Sequence, residues 1–162
     1  MMFAFFNRTF YVQVSPERLT VRNPKTGYLV SEAAEVAITS GSKAKIVGVG
    51  TAARAAALDP SVKLVRPFAH PRSLVSDFTM ADQLLKEFMR RMPSQSFLKL
   101  APMVVIHPQG EPEGGFTQLE IRAFHELALG AGASIVKVWH GPDLTDQELL
   151  SGSFPSTGEI LS

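Results

Sequence analysis

The chain has 162 residues, a formal net charge of +1 at pH 7, 45% hydrophobic residues, 19% charged residues and no cysteine. That length predicts one domain, at most a tight pair of subdomains, and the composition excludes a disordered tail. Lack of cysteine excludes disulfides, thiolate metal sites and a cysteine nucleophile; a charge near zero argues against bulk electrostatic binding to nucleic acid, and no apolar run reaches the ~18 residues of a membrane span.

Residues 10–14 (Phe-Tyr-Val-Gln-Val) predict a strand, and Ser15-Pro16-Glu17-Arg18 a tight turn, because proline presets the backbone for it. Residues 19–22 predict a second strand, with a turn at Asn23–Gly27. Residues 28–38 alternate poorly and end in Val36-Ala37-Ile38, which predicts a third strand and an opening β-meander. Lys45–Val49 reads as a short strand, Thr51–Leu58 as an alanine-rich helix ended by Asp59-Pro60, and Val62–Arg66 as another strand. Thr79 is placed to cap a helix in which Met80, Leu84, Phe88 and Met92 share a face, and Pro93 ends it. Met103–Ile106 is a continuous apolar run, as in a strand covered on both faces. Phe116, Leu119, Ala123 and Leu127 mark a second amphipathic helix closed by Gly130 and Gly132. Ile135–Trp139 reads as a strand, Thr145–Leu150 as a short helix, and residues 153–162 as a frayed tail. A meander followed by alternating helix and strand predicts a mixed sheet flanked by helices, as in the ribonuclease-H-like fold; flavodoxin-like folds lack the meander.

Four segments carry a family likeness. They are Gly27–Glu32 with Val36-Ala37-Ile38; Val47–Arg54; Val65-Arg66-Pro67-Phe68 with Leu74–Phe78; and a long block. That block includes Ser96–Lys99, Val104-Val105-Ile106, Pro108-Gln109-Gly110, Thr117–Ala123 and Gly130–Ala133. In order and spacing they resemble the N-terminal half of the MreB-type bacterial actins, the rod-shape-determining family, from about Tyr11 to about Gly152. The resemblance implies an α/β, ribonuclease-H-like actin lobe over residues 1–152, with residues 39–76 as a candidate small subdomain or insertion.

It also implies where a nucleotide would sit. The family's first phosphate loop, D-x-G-T-x-N, corresponds here to Gln13-Val14-Ser15-Pro16-Glu17-Arg18. Gln13 replaces the aspartate that helps position the metal ion. Ser15 replaces a glycine that lets backbone approach phosphate. Pro16 removes a backbone N–H from the anion cradle, and Glu17 adds negative charge. In the family ATP sits between two lobes, and the second phosphate loop and adenosine pocket belong to the half not matched here. One wall of a cleft encloses little of a nucleotide. The expectation is therefore no cofactor and no ATPase activity. Under the alternative, an actin-like ATPase holding ATP and magnesium, Glu120 matches the glutamate that orients the attacking water. Its plainer role is a solvent-facing residue favouring the helix dipole. Asp77 also matches a family residue, and a cap role suits its place before a helix.

Other constellations say less. Gly110-Glu111-Pro112-Glu113-Gly114-Gly115 joins a strand to a helix as phosphate loops do, but its glutamates disfavour an anion; it reads as a connector or a partner-binding insertion. The four histidines (His70, His107, His125, His140) lack metal-ligand spacing and read as structural or surface residues, so no metal is expected. Ser151-Gly152-Ser153 is no nucleophile elbow. Phe3, Phe5 and Phe6 in the apolar start, with Phe97 and Leu98, match segments by which the family touches the inner membrane; core packing is the competing role. The start is too short for a signal peptide, which predicts a cytoplasmic protein, peripheral at the inner membrane face if those aromatics engage lipid. The resulting expectation is a catalytically degenerate binding or assembly component in cell-shape determination. Its partner would be a protein or a second copy, full-length bacterial actin being one candidate, and not nucleic acid.

Overall fold

The computed structural model describes residues 8–69, 75–93, 101–110, 112 and 114–162. The described elements are, in order, β1 (Thr9–Val14), β2 (Arg18–Arg22), β3 (Leu29–Ala33), β4 (Val36–Thr39), β5 (Ile46–Val49), α1 (Thr51–Ala56), β6 (Val62–Val65), α2 (Phe78–Arg90), β7 (Met103–Pro108), α3 (Gln118–Gly130), β8 (Ile135–His140), α4 (Asp146–Ser151) and β9 (Glu159–Ile160). Six strands form a mixed sheet in the order β3-β2-β1-β7-β8-β9. The β1/β2 and β2/β3 pairs are antiparallel, β1/β7 and β7/β8 parallel, and β8/β9 antiparallel. A smaller antiparallel sheet runs β5-β4-β6. Among the described residues no helix is long and apolar enough to cross a membrane.

Strand alternation divides the interior in two. Phe10, Val12 and Val14 of β1 face one core, with Val104 and Ile106 of β7, Leu84, Leu85 and Phe88 of α2, and Phe124, Leu127 and Ala128 of α3. Tyr11 faces the other, with Val105, Trp139, Leu144 and Leu149. Both faces of β7 are thus covered, which is why its sequence is apolar without alternation.

Four sequence expectations change. The single strand expected within 28–38 is two strands in different sheets, with the crossing at Ala34 and Glu35. Glu35 is 2% exposed, and a carboxylate so buried needs cationic partners. Arg54 Nε donates to it at 2.8 Å, and Arg66 Nε lies at 3.8 Å. The small sheet therefore starts at Val36, before the 39–76 segment singled out above. Asp77, not Thr79, caps α2: its extended backbone lets its carboxylate accept the Met80 N–H at 3.1 Å, whereas Thr79 is already helical. On α3 the buried residues are Glu120, Phe124, Leu127 and Ala128, while Leu119 is 78% exposed. Finally, residues 153–162 do not fray. β9 pairs with β8, Leu161 N–H donates to the Val138 carbonyl at 2.7 Å, and Phe154 meets Trp139 edge-on at 5.2 Å. A Cβ on Gly158 would lie 2.5 Å from the Trp139 ring, so only glycine lets this segment close over it.

One carboxylate joins the two sheets. Glu32 of β3 accepts the Thr51 N–H at the start of α1 at 2.9 Å, and Arg91, just beyond α2, donates to its other oxygen at 2.9 Å. Gly50 has φ 66°, and any side chain there would collide with the Glu32 carboxylate.

Candidate functional site

The residues picked out for phosphate lie together at the end of β1. Gln13 is the penultimate residue of that strand, in register with His107 of the parallel β7. The turn that follows is closed on itself. Ser15 N–H donates to the Arg18 carbonyl at 2.9 Å, the Ser15 hydroxyl donates to the same oxygen at 3.2 Å, and Arg18 N–H donates back to Ser15 Oγ at 2.9 Å. Pro16 has no N–H to offer. Glu17, exposed, gives its carbonyl to Ala34 N–H at 3.0 Å. Arg18 reaches sideways to the Ser31 hydroxyl at 3.2 Å. Gln109 N–H donates to the Val14 carbonyl at 2.6 Å, fastening the end of β7 to the turn.

Glu120 stands apart from this turn in its bonding. It is the third residue of α3, and its carboxylate accepts the Thr117 N–H at 2.8 Å while its own N–H donates to Thr117 Oγ1 at 3.2 Å. This reciprocal capping box satisfies two helix-terminal donors. The side chain is folded back and buried, at 9% exposure, rather than solvent-facing. Among the described residues its carboxylate is hydrogen-bonded to Thr117, through the backbone N–H and the hydroxyl. Phe3, Phe5, Phe6, Phe97 and Leu98 lie outside the described residues, as do His70, Glu111 and Glu113.

Sequence reasoning missed the most connected polar group nearby. His107, 3% exposed, shares a hydrogen bond at Nδ1 with the Tyr11 hydroxyl across 96 residues, and Leu144 N–H donates to that same hydroxyl at 3.2 Å. The Gln13 side chain also faces the Tyr11 hydroxyl, and the Gly141 backbone faces the imidazole. Asp143 Oδ1 lies 3.9 Å from Nδ1. Burial pushes the Tyr11 phenol up to about 12 and pulls the His107 imidazole below its ordinary value, the latter against the pull of Asp143. The available sequence signal was local: His107 ends an otherwise apolar strand, where a polar side chain must find partners.

Comparison with known proteins now decides the family. The MreB/Mbl protein family model matches residues 16–144. The chain belongs to the MreB/Mbl family. The cell shape-determining protein MreB of Pasteurella multocida is 30% identical over 121 residues, covering 72% of this chain and 33% of that protein. Its counterpart in Escherichia coli K12 is 30% identical over 112 residues, covering 66% and 30%. This MreB-family chain thus spans about a third of the length of the curated relatives it matches. Among solved structures, MreB5 of Spiroplasma citri bound to AMPPNP aligns with TM-score 0.63 at 20% identity, over 80% of this chain and 37% of that one. A non-polymerising MamK mutant bound to AMPPNP aligns with TM-score 0.58 at 14% identity, over 80% and 41%. The fold is therefore actin-like: a mixed sheet with a leading meander, flanked by helices.

Proposed function

We propose that this chain is an actin-like lobe that serves cell-shape determination as a binding or assembly component and does not turn over ATP. The observation that carries the reading is the closed β1–β2 turn. A phosphate cradle needs free backbone N–H groups converging on the anion. Here those of Ser15 and Arg18 are spent on each other's residues, Pro16 has none, and Glu17 would bring its own charge to the anion. Gln13 is neutral and its side chain faces Tyr11, so it offers no carboxylate to a hydrated metal ion. These residues do not fit a magnesium–triphosphate group, although the solved relatives are bound to AMPPNP. Glu120, committed to the Thr117 capping box, supports a structural role over water positioning.

Self-association, or association with a full-length bacterial actin, is the role this leaves, in the cytoplasm or at the inner membrane face. Calorimetry with ATP and magnesium is expected to show no binding heat. Light scattering and co-sedimentation are expected to show a dimer or a complex with the full-length protein. ATP binding that weakens in Gln13→Ala or Glu120→Ala would overturn the degenerate reading; a strict monomer indifferent to bacterial actin would overturn the assembly role.

A further inference from the structure

We infer that the loop between β8 and α4, residues 141–145, is a proton-operated latch whose bolt is the Tyr11–His107 hydrogen bond. The inference is independent of whether the chain binds nucleotide.

The loop is held by side chains from three strands. The His107 imidazole faces the Gly141 backbone, Trp139 Nε1 donates to the Pro142 carbonyl at 2.8 Å, and the Tyr11 hydroxyl accepts the Leu144 N–H. Arg22 then fixes the next residue but one with two bonds to Asp146, at 2.9 and 2.7 Å. Gly141 is an acceptor, so one ring nitrogen of His107 must donate there. In the tautomer of the neutral ring that serves both neighbours, Nδ1 accepts the Tyr11 proton. The Tyr11 oxygen is in turn occupied by Leu144 N–H and faced by the Gln13 side chain. This arrangement suits a neutral imidazole.

Protonation of His107 places a hydrogen on both ring nitrogens. Two donors then face each other at Tyr11, and the hydroxyl must turn its proton elsewhere or withdraw. The groups facing the ring are Tyr11 from β1, His140 from β8 and Asp143 from the loop; Glu148 of α4 faces Tyr11. Of these, Asp143 is the one able to answer the new charge. It already lies 3.9 Å from Nδ1 on a side chain 73% exposed. As Asp143 takes the Nδ1 hydrogen, the Tyr11 hydroxyl loses its acceptor and its hold on the Leu144 N–H weakens. Asp143 thereby gives the loop a second resting arrangement in place of mere loosening. The element released lies directly over Trp139, buried at 1% exposure against Leu144 and Leu149.

The sign follows from burial. The imidazole's folded value lies below its ordinary 6.5. Between those two values the unfolded chain binds a proton that the latched chain does not. The latch is therefore fully stabilising above about 6.5 and weakens as pH falls through that value towards the folded one.

Trp139 is the only tryptophan of the sequence, so its emission reads the latch directly. In the full chain, excited at 295 nm and titrated from pH 8 to pH 4.5, the emission is expected to move red in one step with a midpoint below 6.5. Far-ultraviolet circular dichroism should stay unchanged through that step. His107→Gln, which keeps a polar side chain but cannot titrate, is expected to abolish the step, and His125→Gln to leave it in place. Should His107→Gln fail to fold, Asp143→Asn decides: removing the carboxylate is expected to lower the midpoint. A flat emission in the wild type, a step that survives His107→Gln, or a midpoint unmoved by Asp143→Asn would each overturn the latch.

Discussion

The two faces of the large sheet are held by different physics. The face under α2 and α3 is an apolar core of Phe, Leu, Val and Ala side chains, stabilised by area removed from water and by close packing. Among the described residues, the face under α4 has five buried apolar members, Tyr11, Val105, Trp139, Leu144 and Leu149. It is completed by directional bonds: Tyr11 to His107, Leu144 to Tyr11, Trp139 to Pro142 and Arg22 to Asp146. Packing tolerates any partner of suitable shape. Wiring demands particular donors, and one of its acceptors is a titratable ring. The first face is suited to permanence and the second to response.

Substitutions can break this contrast at decreasing cost. Phe88→Ala on the fully buried α2 face should cost about 3–5 kcal/mol, a loss readable as an earlier urea midpoint with an unchanged slope. Little loss would mean that the apolar face is not the structural floor. Tyr11→Phe removes no packing volume but strands both His107 Nδ1 and the Leu144 N–H. The expected cost is about 1–3 kcal/mol by thermal unfolding at pH 8. A neutral outcome would show that the wiring orients the loop without stabilising it. Thr117→Ala touches neither face and opens the α3 capping box, for about 1 kcal/mol, and is not expected to alter the Trp139 emission.

Much of the large sheet was legible because local pattern and tertiary fate agree there. β1, β2, β7 and β8 are apolar for reasons that hold within six residues. What was not legible depends on distant partners. The break between β3 and β4 is set by Glu35, whose cations Arg54 and Arg66 lie 19 and 31 residues on. The last ten residues read as a tail because their partner, Trp139, lies outside any local window. Leu119 was assigned to the core face by spacing, but α3 buries Glu120, Phe124, Leu127 and Ala128 and leaves Leu119 facing outward. At the candidate site, the departures at Gln13, Ser15, Pro16 and Glu17 were visible in the residues themselves. The closure of the turn by Ser15 and Arg18 was not, since it depends on backbone geometry. His107 was passed over as a scattered histidine because no spacing rule connects it to residues 11 and 144.

Glu32 bears on how the two sheets can move. Its two oxygens are assigned to two different neighbours, the start of α1 and Arg91, so a polar clamp is added to the apolar seam of Val36, Ile38 and Val49 that seats the small sheet on the main core. A protein that must present two surfaces at a constant angle to its neighbours gains reproducible geometry from such a joint. Shortening that one side chain to Asp would take away the clamp's reach to both partners and leave the apolar seam to hold the angle alone.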